Sequence, residues 1–399
     1  MRVGFVGVGK LGKDVAEVIH DSGYDVTGYD VAPVKTYIKM ASSLADAVVG
    51  KDIVFVALPT PHHKDYDGRY PTSHLRPKDF DYGTVKKVIG TIDKLVDHKT
   101  LIVLISTVLP GRVRRHIVPL IKHGRFIYNP YLIAQGTVKY DMVKPEMVII
   151  GTEDGSISED AKTLKEFYKD IVVEGTRFEV GTWEEAESIK IFYNTFISTK
   201  LSLVNMIADV SERLGHMNVD VVTNALKNST DRIMGPKYMS AGLGDGGGCH
   251  PRDNIALRSL ALELDLGYDL FDAIMLAREK QALNMAKIIK GIANYRVCIL
   301  GSGFKPGVIQ LEGSPAILLG YQLEKIMKLT ENSLCVWYDK HPKEITEPLI
   351  YVMHDHNKFK DFDFNKDSVI FDPFGKTEQT SDLTKRGIRV YNYGRGNNV

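Results

Sequence analysis

A chain of 399 residues has length for roughly two or three domains and ample core for ordinary stability. Lysine and arginine total 51 against 50 for aspartate and glutamate, a formal charge of +1, so no global field recruits nucleic acid or an anionic membrane. Any anion must be bound locally. Three cysteines, Cys249, Cys298 and Cys335, are too few and too scattered for a disulfide framework or a zinc site. The opening MRVGFVGVGKLGKD reads as a strand and not as a secretory leader, and no run of about 18 apolar residues offers a membrane helix. A cytoplasmic protein with no membrane and no nucleic-acid partner is expected.

To about residue 180, VGFVG, YDVTGYD, DIVFVAL, TLIVLIS, RFIYN and MVIIG alternate with helical stretches, the pattern of a parallel sheet wrapped by helices. GVGKLG places Gly7, Gly9 and Gly12 between the first strand and a helical stretch, and Asp30 ends the next strand. Glycines there permit a tight turn and let a pyrophosphate approach the helix N-terminus, where free amides favour anions. An acid at the second strand end accepts from a ribose 2′-hydroxyl and repels a 2′-phosphate, so NAD is the expected cofactor. Lys35 either reaches an adenosine phosphate, which would admit NADP, or is a solvated lysine. Residues 59–80, PTPHHKDYDGRYPTSHLRPKDF, form a loop longer than ordinary connections, better suited to a ligand than to the core. Its His62, His63 and His74 have no carboxylate or cysteine at ligand spacing and read as solvated, so no metal is expected.

From Trp183 to about Arg213 the pattern turns into one long helix. Glu187, Lys190 and Asn194 share a helical face at i, i+3 and i+7. A cation and an amide four residues apart can hold the oxygen of an alcohol or its alkoxide, although spacing alone fits a surface lysine beside a polar helix pair better. A second helical stretch covers about Gly267 to Lys290. Between the two, GLGDGGGCHPRDN sets Cys249 at the end of a glycine run, just ahead of a helix start with Pro251 at its first position and an acid in its first turn. A thiol at the positive end of a helix dipole is stabilised as the thiolate, the form a nucleophile needs. Asp253 works against that acidity, but one turn in it can activate a water or take a proton. An isolated cysteine bordering a loop is more often inert. Cys298 and Cys335, in VCILG and LCVWY, have apolar strand neighbours and read as core. YRVCILGSG, LCVWYD and SVIFD then open another strand, helix, strand series. The expected organisation is a Rossmann-type NAD-binding α/β domain over 1–180, a central helical domain over 181–292 and a C-terminal Rossmann-like α/β domain over 293–399.

These motifs resemble the UDP-glucose/GDP-mannose dehydrogenase family over nearly the whole chain. The family's thiol segment, GFGGxCFPKD, stands here as GDGGGCHPRD, matching at Gly244, Gly246, Gly247, Cys249, Pro251 and Asp253. Its AExxKxxxN helix is met by Ala186, Glu187, Lys190 and Asn194, and its P-T-P signature by Pro59, Thr60 and Pro61. The STVxPG segment is Ser106, Thr107, Val108, Pro110 and Gly111, and the GxxFKPxxxxxxxSP loop includes Phe304, Lys305, Pro306, Ser314 and Pro315.

The resemblance implies a four-electron oxidation of the C6 alcohol of a nucleotide sugar, UDP-glucose first among them, to the carboxylate with two NAD in turn. It implies that Lys190, Asn194 and Asp253, with a water, stabilise the oxyanion as the first hydride leaves. Cys249 would trap the aldehyde as a thiohemiacetal, whose oxidation gives a thioester that water hydrolyses. Thr107 joins both the catalytic set and, with Pro59 and Thr60, the cofactor set of Gly7, Gly9, Gly12, Asp30 and Lys35. Tyr131, Gln135, Lys190, Asn194, Tyr238, Gly246 and Lys305 fall at substrate positions. Arg232, in DRIMGPKY, resembles across a one-residue insertion the arginine that members lend across a dimer interface, so a homodimer is expected.

Departures from the pattern are equally specific. The family's NPEFLxEG is NPYLIAQG here, with Tyr131 and Gln135 in place of two glutamates, the first of which serves thioester hydrolysis in the family. A tyrosine, with an ordinary pKa near 10, is a poor general base at neutral pH. Asp245 replaces a phenylalanine, and Glu312 and Gly313 stand where arginine and glutamate usually follow FKP. Two other readings stay open. One is a two-electron β-hydroxyacid-type dehydrogenase, which shares the dinucleotide fold and the Lys-x-x-x-Asn helix but needs neither the cysteine nor a third domain. The other is a non-catalytic protein that holds NAD and a sugar nucleotide, suggested by the lost glutamates.

Overall fold

The computed structural model describes residues 1–61, 79–134, 136–214, 216–235, 241–245, 247, 249–293, 295–308, 310–327, 337–338 and 346–394. They fall into two compact units, residues 1–200 and 201–399.

The strands of the first unit are β1 (Arg2–Val6), β2 (Asp25–Tyr29), β3 (Lys39–Met40), β4 (Ile53–Val56), β5 (Leu101–Leu104), β6 (Arg125–Tyr128), β7 (Val148–Thr152) and β8 (Phe178–Thr182). They form one sheet in the order β3-β2-β1-β4-β5-β6-β7-β8. Neighbours pair in parallel except β6 and β7, which meet antiparallel at Tyr128 and Gly151. IVFV in β4 and LIVL in β5 are buried at every residue, as strands covered on both faces must be. The covering helices are α1 (Gly12–Asp21), α2 (Leu44–Val48), α3 (Gly83–Leu95), α4 (Val138–Val143) and α5 (Glu159–Lys169). On one face, Val15 and Ile19 of α1 and Leu164 and Phe167 of α5 pack with Val3, Phe5 and Phe55. On the other, Val48, Val85, Ile89 and Ile92 of α2 and α3 pack with Val54, Val56 and Ile102. Ser43 and Ser158 cap α2 and α5 by accepting from the amides of Asp46 and Ala161. The strand order reverses between β1 and β4, and in such a sheet the crevice at the carboxyl ends of those two strands is where ligands bind.

A long helix, α6 (Trp183–Leu214), follows β8 without a break. The second unit then contains α7 (Val219–Lys227), α8 (Cys249–Glu263), α9 (Leu270–Ile292), β9 (Arg296–Leu300), α10 (Pro315–Met327), β10 (Trp337–Tyr338), β11 (Leu349–Met353), β12 (Val369–Asp372), α11 (Ser381–Lys385) and β13 (Arg389–Asn392). Its all-parallel sheet runs β10-β9-β11-β12-β13, so here too the order reverses, between β9 and β11. Met285 and Ile289 of α9 and Leu319 and Leu323 of α10 pack against Val297, Ile299, Ile350 and Val352 on one face of it. Cys298 is buried in β9, as its apolar neighbours imply, while Cys335 lies outside the described residues. At the carboxyl end of β12 the buried Asp372 accepts from the amides of Phe374, Gly375, Lys376 and Thr377 and bonds His356 Nε2 at 2.9 Å. Burial pushes its carboxyl up, but these donors outweigh burial and hold it well below the usual carboxylate range.

The architecture is the α/β one the sequence pattern implies: an N-terminal Rossmann-type sheet, a helical centre with a long helix, and a C-terminal Rossmann-like sheet. Among the described residues no helix is long and apolar enough to cross a membrane.

Candidate active site

The turn from β1 to α1 is built on close backbone approach. Gly7 has φ +97°, and a Cβ there would stand 2.3 Å from the Ala57 carbonyl oxygen; one on Gly12 would stand 1.9 Å from that of Gly7. Gly9 faces open space. Beside it opens a cavity of about 440 Å³ whose wall includes Gly9, Gly12, Pro59, Thr60, Thr107, Tyr131 and Lys190. Thr60 Oγ1 donates to the Thr107 carbonyl at 2.6 Å, and Ser106 Oγ donates to the Leu58 carbonyl at 2.6 Å. The loops after β4 and β5 are thereby tied together at the rim. A glycine turn with an open centre at a helix N-terminus fits the pyrophosphate of a dinucleotide such as NAD. Asp30 follows β2 at the same sheet edge, half-buried, and accepts from the Ala32 amide at 3.0 Å. Lys35 is exposed.

The shared helical face expected on α6 divides into separate roles. Glu187 is fully buried and accepts from the amides of Gly111 and Val113, the latter at 2.6 Å. It thus satisfies the free N–H groups at the start of the π-helical turn Val113–Ile117 that follows the STVLPG segment. Burial raises its carboxyl above the ordinary value, with the two amides pulling it back. Its role is to fix the segment that carries Thr107, a function the sequence signalled only as part of the AExxK pattern. Lys190, one turn on, is half-buried in the cavity wall, where desolvation lowers its pKa. Asn194 is exposed and stands outside that wall, so the first unit brings Lys190, but not Asn194, to the cavity.

Tyr131 lies on the same wall and its hydroxyl is 2.6 Å from that of Tyr168. The direction of that bond follows from the next two. Asn129 is fully buried and donates Nδ2 to the Ile149 carbonyl, which turns Oδ1 toward Tyr168. Tyr168 donates to that oxygen, so its own oxygen must accept from Tyr131. Tyr131 therefore spends its proton on Tyr168. Burial pushes its phenol well above the ordinary value, against a smaller opposing effect of Tyr168.

In the second unit α8 begins at Cys249 itself, so Pro251 is its third residue and not its first. The proline remains within the first turn, where a missing N–H breaks no helical bond. Gly247, ahead of it, meets the loop after β9 backbone to backbone. Gly313 has φ +68°, and a Cβ there would stand 2.3 Å from the Gly247 carbonyl oxygen; one on Gly247 would stand 3.1 Å from the Phe304 ring. Lys305, in that loop, is exposed with its ammonium 5.3 Å from the Phe304 ring centre. Arg232 is exposed after α7. Gln135, Tyr238 and Gly246, the loop histidines His62, His63 and His74, and the side chains of Cys249 and Asp253 lie outside the described residues. Among the described residues no three histidine, cysteine, aspartate or glutamate side chains are grouped to hold a metal ion.

Residues 35–172 match the NAD binding domain of the UDP-glucose/GDP-mannose dehydrogenase family, and residues 184–280 match its central domain. Residues 2–67 also match the NAD binding domain of 6-phosphogluconate dehydrogenase. A UDP-glucose 6-dehydrogenase of Rickettsia prowazekii is 25% identical over 340 residues, covering 79% of this chain and 77% of that protein. A GDP-mannose 6-dehydrogenase of Pseudomonas putida is 25% identical over 366 residues, covering 81% and 80%. Among solved structures, a GDP-mannose dehydrogenase of Pseudomonas aeruginosa shares the fold with a TM-score of 0.79 over 98% of this chain and 99% of that one, at 21% identity.

Proposed function

The chain belongs to the UDP-glucose/GDP-mannose dehydrogenase family, and from that premise we propose that it oxidises the C6 hydroxyl of a nucleotide sugar, UDP-glucose as first candidate, to the uronic acid through Cys249. Membership makes it an NAD-dependent nucleotide-sugar dehydrogenase. The observation that carries the finer reading is the cavity at the open Gly9, with the desolvated cation of Lys190 in its wall.

NAD bound at the glycine turn supplies the hydride acceptor. Lys190 and Asn194 hold the C6 oxygen, and the ammonium, poorly solvated, stabilises the negative charge that gathers there as the hydride departs. Asp253, through a water, takes the alcohol's proton. Cys249, at the amide end of α8, then adds as thiolate to the aldehyde carbon and forms a thiohemiacetal. Transfer of a second hydride from that carbon to a second NAD, with the hydroxyl proton passing to water, leaves a thioester, and a water molecule cleaves it to the carboxylate and the free thiol. Tyr131 accepts a hydrogen bond from the substrate and moves no proton, so thioester hydrolysis is the slow step. Lys305, Gln135, Tyr238 and Gly246 contact the nucleotide sugar, Asp30 and Lys35 the adenosine end of the cofactor, and Arg232 is lent between the copies of a homodimer. The domain divisions 1–180, 181–292 and 293–399 follow this division of labour, and three scattered thiols suit a reducing cytoplasm.

The test is the stoichiometry of NADH formed per sugar consumed, with NAD and a panel of UDP-glucose, GDP-mannose and N-acetylated UDP-sugars. Two per sugar with one of the panel supports the reading. One per sugar means a two-electron dehydrogenase, and tight binding with no NADH means a non-catalytic protein.

A further inference from the structure

The segment that delivers Cys249 to α8 is a run of glycines, which has no side chains with which to anchor itself and loses the most backbone freedom on ordering. Two contacts fix the described residues of this segment, Asp245 and Gly247. The first is Arg278, on α9, whose side chain is 11% exposed. Its Nε donates to Asp245 Oδ1 at 2.7 Å and its Nη2 to the Gly313 carbonyl at 2.9 Å. One planar group thus clasps the residue four before Cys249 and the loop after β9 at once, a geometry that a guanidinium supports and an ammonium does not. The second is the contact of Gly247 with Gly313, where neither position has room for a side chain without a backbone shift or a displaced ring. The aspartate at 245 and the glycine at 313 are also where the chain departs from its family's pattern, and Arg278 touches both.

We propose that Arg278 is a positioning residue: by clasping Asp245 and the Gly313 carbonyl it sets the register of the glycine run and holds Cys249 at the first residue of α8. The proposal rests on the reading of Cys249 as the nucleophile. Arg278 touches no reacting atom. It works by keeping the backbone of Cys249 at the start of α8, so its loss is expected to move kcat and the reactivity of the thiol together and to leave NAD affinity alone.

The test compares wild type with Arg278→Met, Arg278→Lys, Asp245→Asn and the Arg278→Met/Asp245→Asn pair. The readings are kcat, KM for UDP-glucose, KM for NAD, and the pH midpoint for iodoacetamide alkylation of the peptide bearing Cys249. Arg278→Met is expected to lower kcat about a hundredfold, the scale of a displacement near one ångström, with KM for NAD unchanged. Its alkylation midpoint is expected to rise toward the ordinary thiol value near 8.5. Asp245→Asn falls in between, Arg278→Lys restores part of the loss, and the double variant is no worse than Arg278→Met alone. Wild-type kcat and alkylation midpoint in a folded Arg278→Met overturn the proposal, as does a loss confined to KM or to melting temperature. Should Arg278→Met not fold, the same readings on Asp245→Asn decide. A wild type that oxidises no sugar in the panel refutes the function proposed above, and the alkylation midpoints still decide the clasp.

Discussion

The turn that cradles the dinucleotide and the run that delivers the thiol are both glycine-rich and both open a helix, yet they are specified differently. In the first, Gly7 and Gly12 fit because main chain crowds them, the Gly7 carbonyl at Gly12 and the Ala57 carbonyl just after β4 at Gly7. In the second, the run is held from outside, by Arg278 thirty-three residues from Asp245 and by the loop that carries Gly313. A site made of backbone tolerates change in its surroundings and not in its glycines. A site made by clasping depends on distant side chains, and can drift as those change.

The largest effect that sharpens this contrast is expected at the thiol. Cys249→Ser should reduce uronic acid formation by on the order of a thousandfold or more, while dissociation constants for NAD and UDP-glucose measured by calorimetry stay near wild type. Next is Lys190→Met, expected to cost roughly 100- to 1000-fold in kcat, the scale of a lost charge-stabilising donor. The same lysine sets a pH signature. Burial disfavours its ammonium, so it deprotonates at a lower pH than a free lysine, and the alkaline fall of kcat should lie below the ordinary lysine value near 10.4. Lys190→Arg should carry that fall to higher pH.

Gly12→Ala breaks the backbone side of the comparison. Its methyl would meet the Gly7 carbonyl, and the strain of about 1–3 kcal/mol should weaken NAD binding roughly 10- to 100-fold by fluorescence titration, with the alkylation of Cys249 unaltered. The smallest effect is a gain. Tyr131→Glu puts a carboxylate in place of a phenol whose proton is held by Tyr168, and should speed steady-state turnover a few-fold while leaving the first burst of NADH as it was. Tyr168→Phe frees the Tyr131 proton to turn toward the cavity and should alter KM for the sugar more than kcat.

Much of this was legible in the residues. The strands of the first sheet from VGFVG to MVIIG stand where their apolar runs place them, because burial on both faces demands such runs. The antiparallel meeting of β6 with β7 was not legible, since an apolar run reads the same in either direction. Nor were β3, two residues long, or β8, whose FEVGT is only half-buried. In the site, Gly7 and Gly12 announce themselves because no other residue fits their backbone. The proton direction of Tyr131 could not be read, since it depends on Tyr168 and on Asn129, thirty-seven residues from Tyr131 and thirty-nine from Tyr168 respectively. Helical spacing placed Glu187 with Lys190, but the amides of Gly111 and Val113 claim Glu187, and those partners lie in a loop more than seventy residues earlier.

In the proposed function Cys249 carries the substrate between the two oxidations and Tyr131 does not hasten its release. Rapid quenching of the protein with NAD and UDP-glucose, followed by mass measurement of the peptide bearing Cys249, tests it directly. The predicted result is a burst of NADH with the oxidised sugar nucleotide on Cys249 as a thioester, accumulating to a large fraction of sites and shrinking in Tyr131→Glu. Steady NADH formation with Cys249 unmodified at every time point would contradict it.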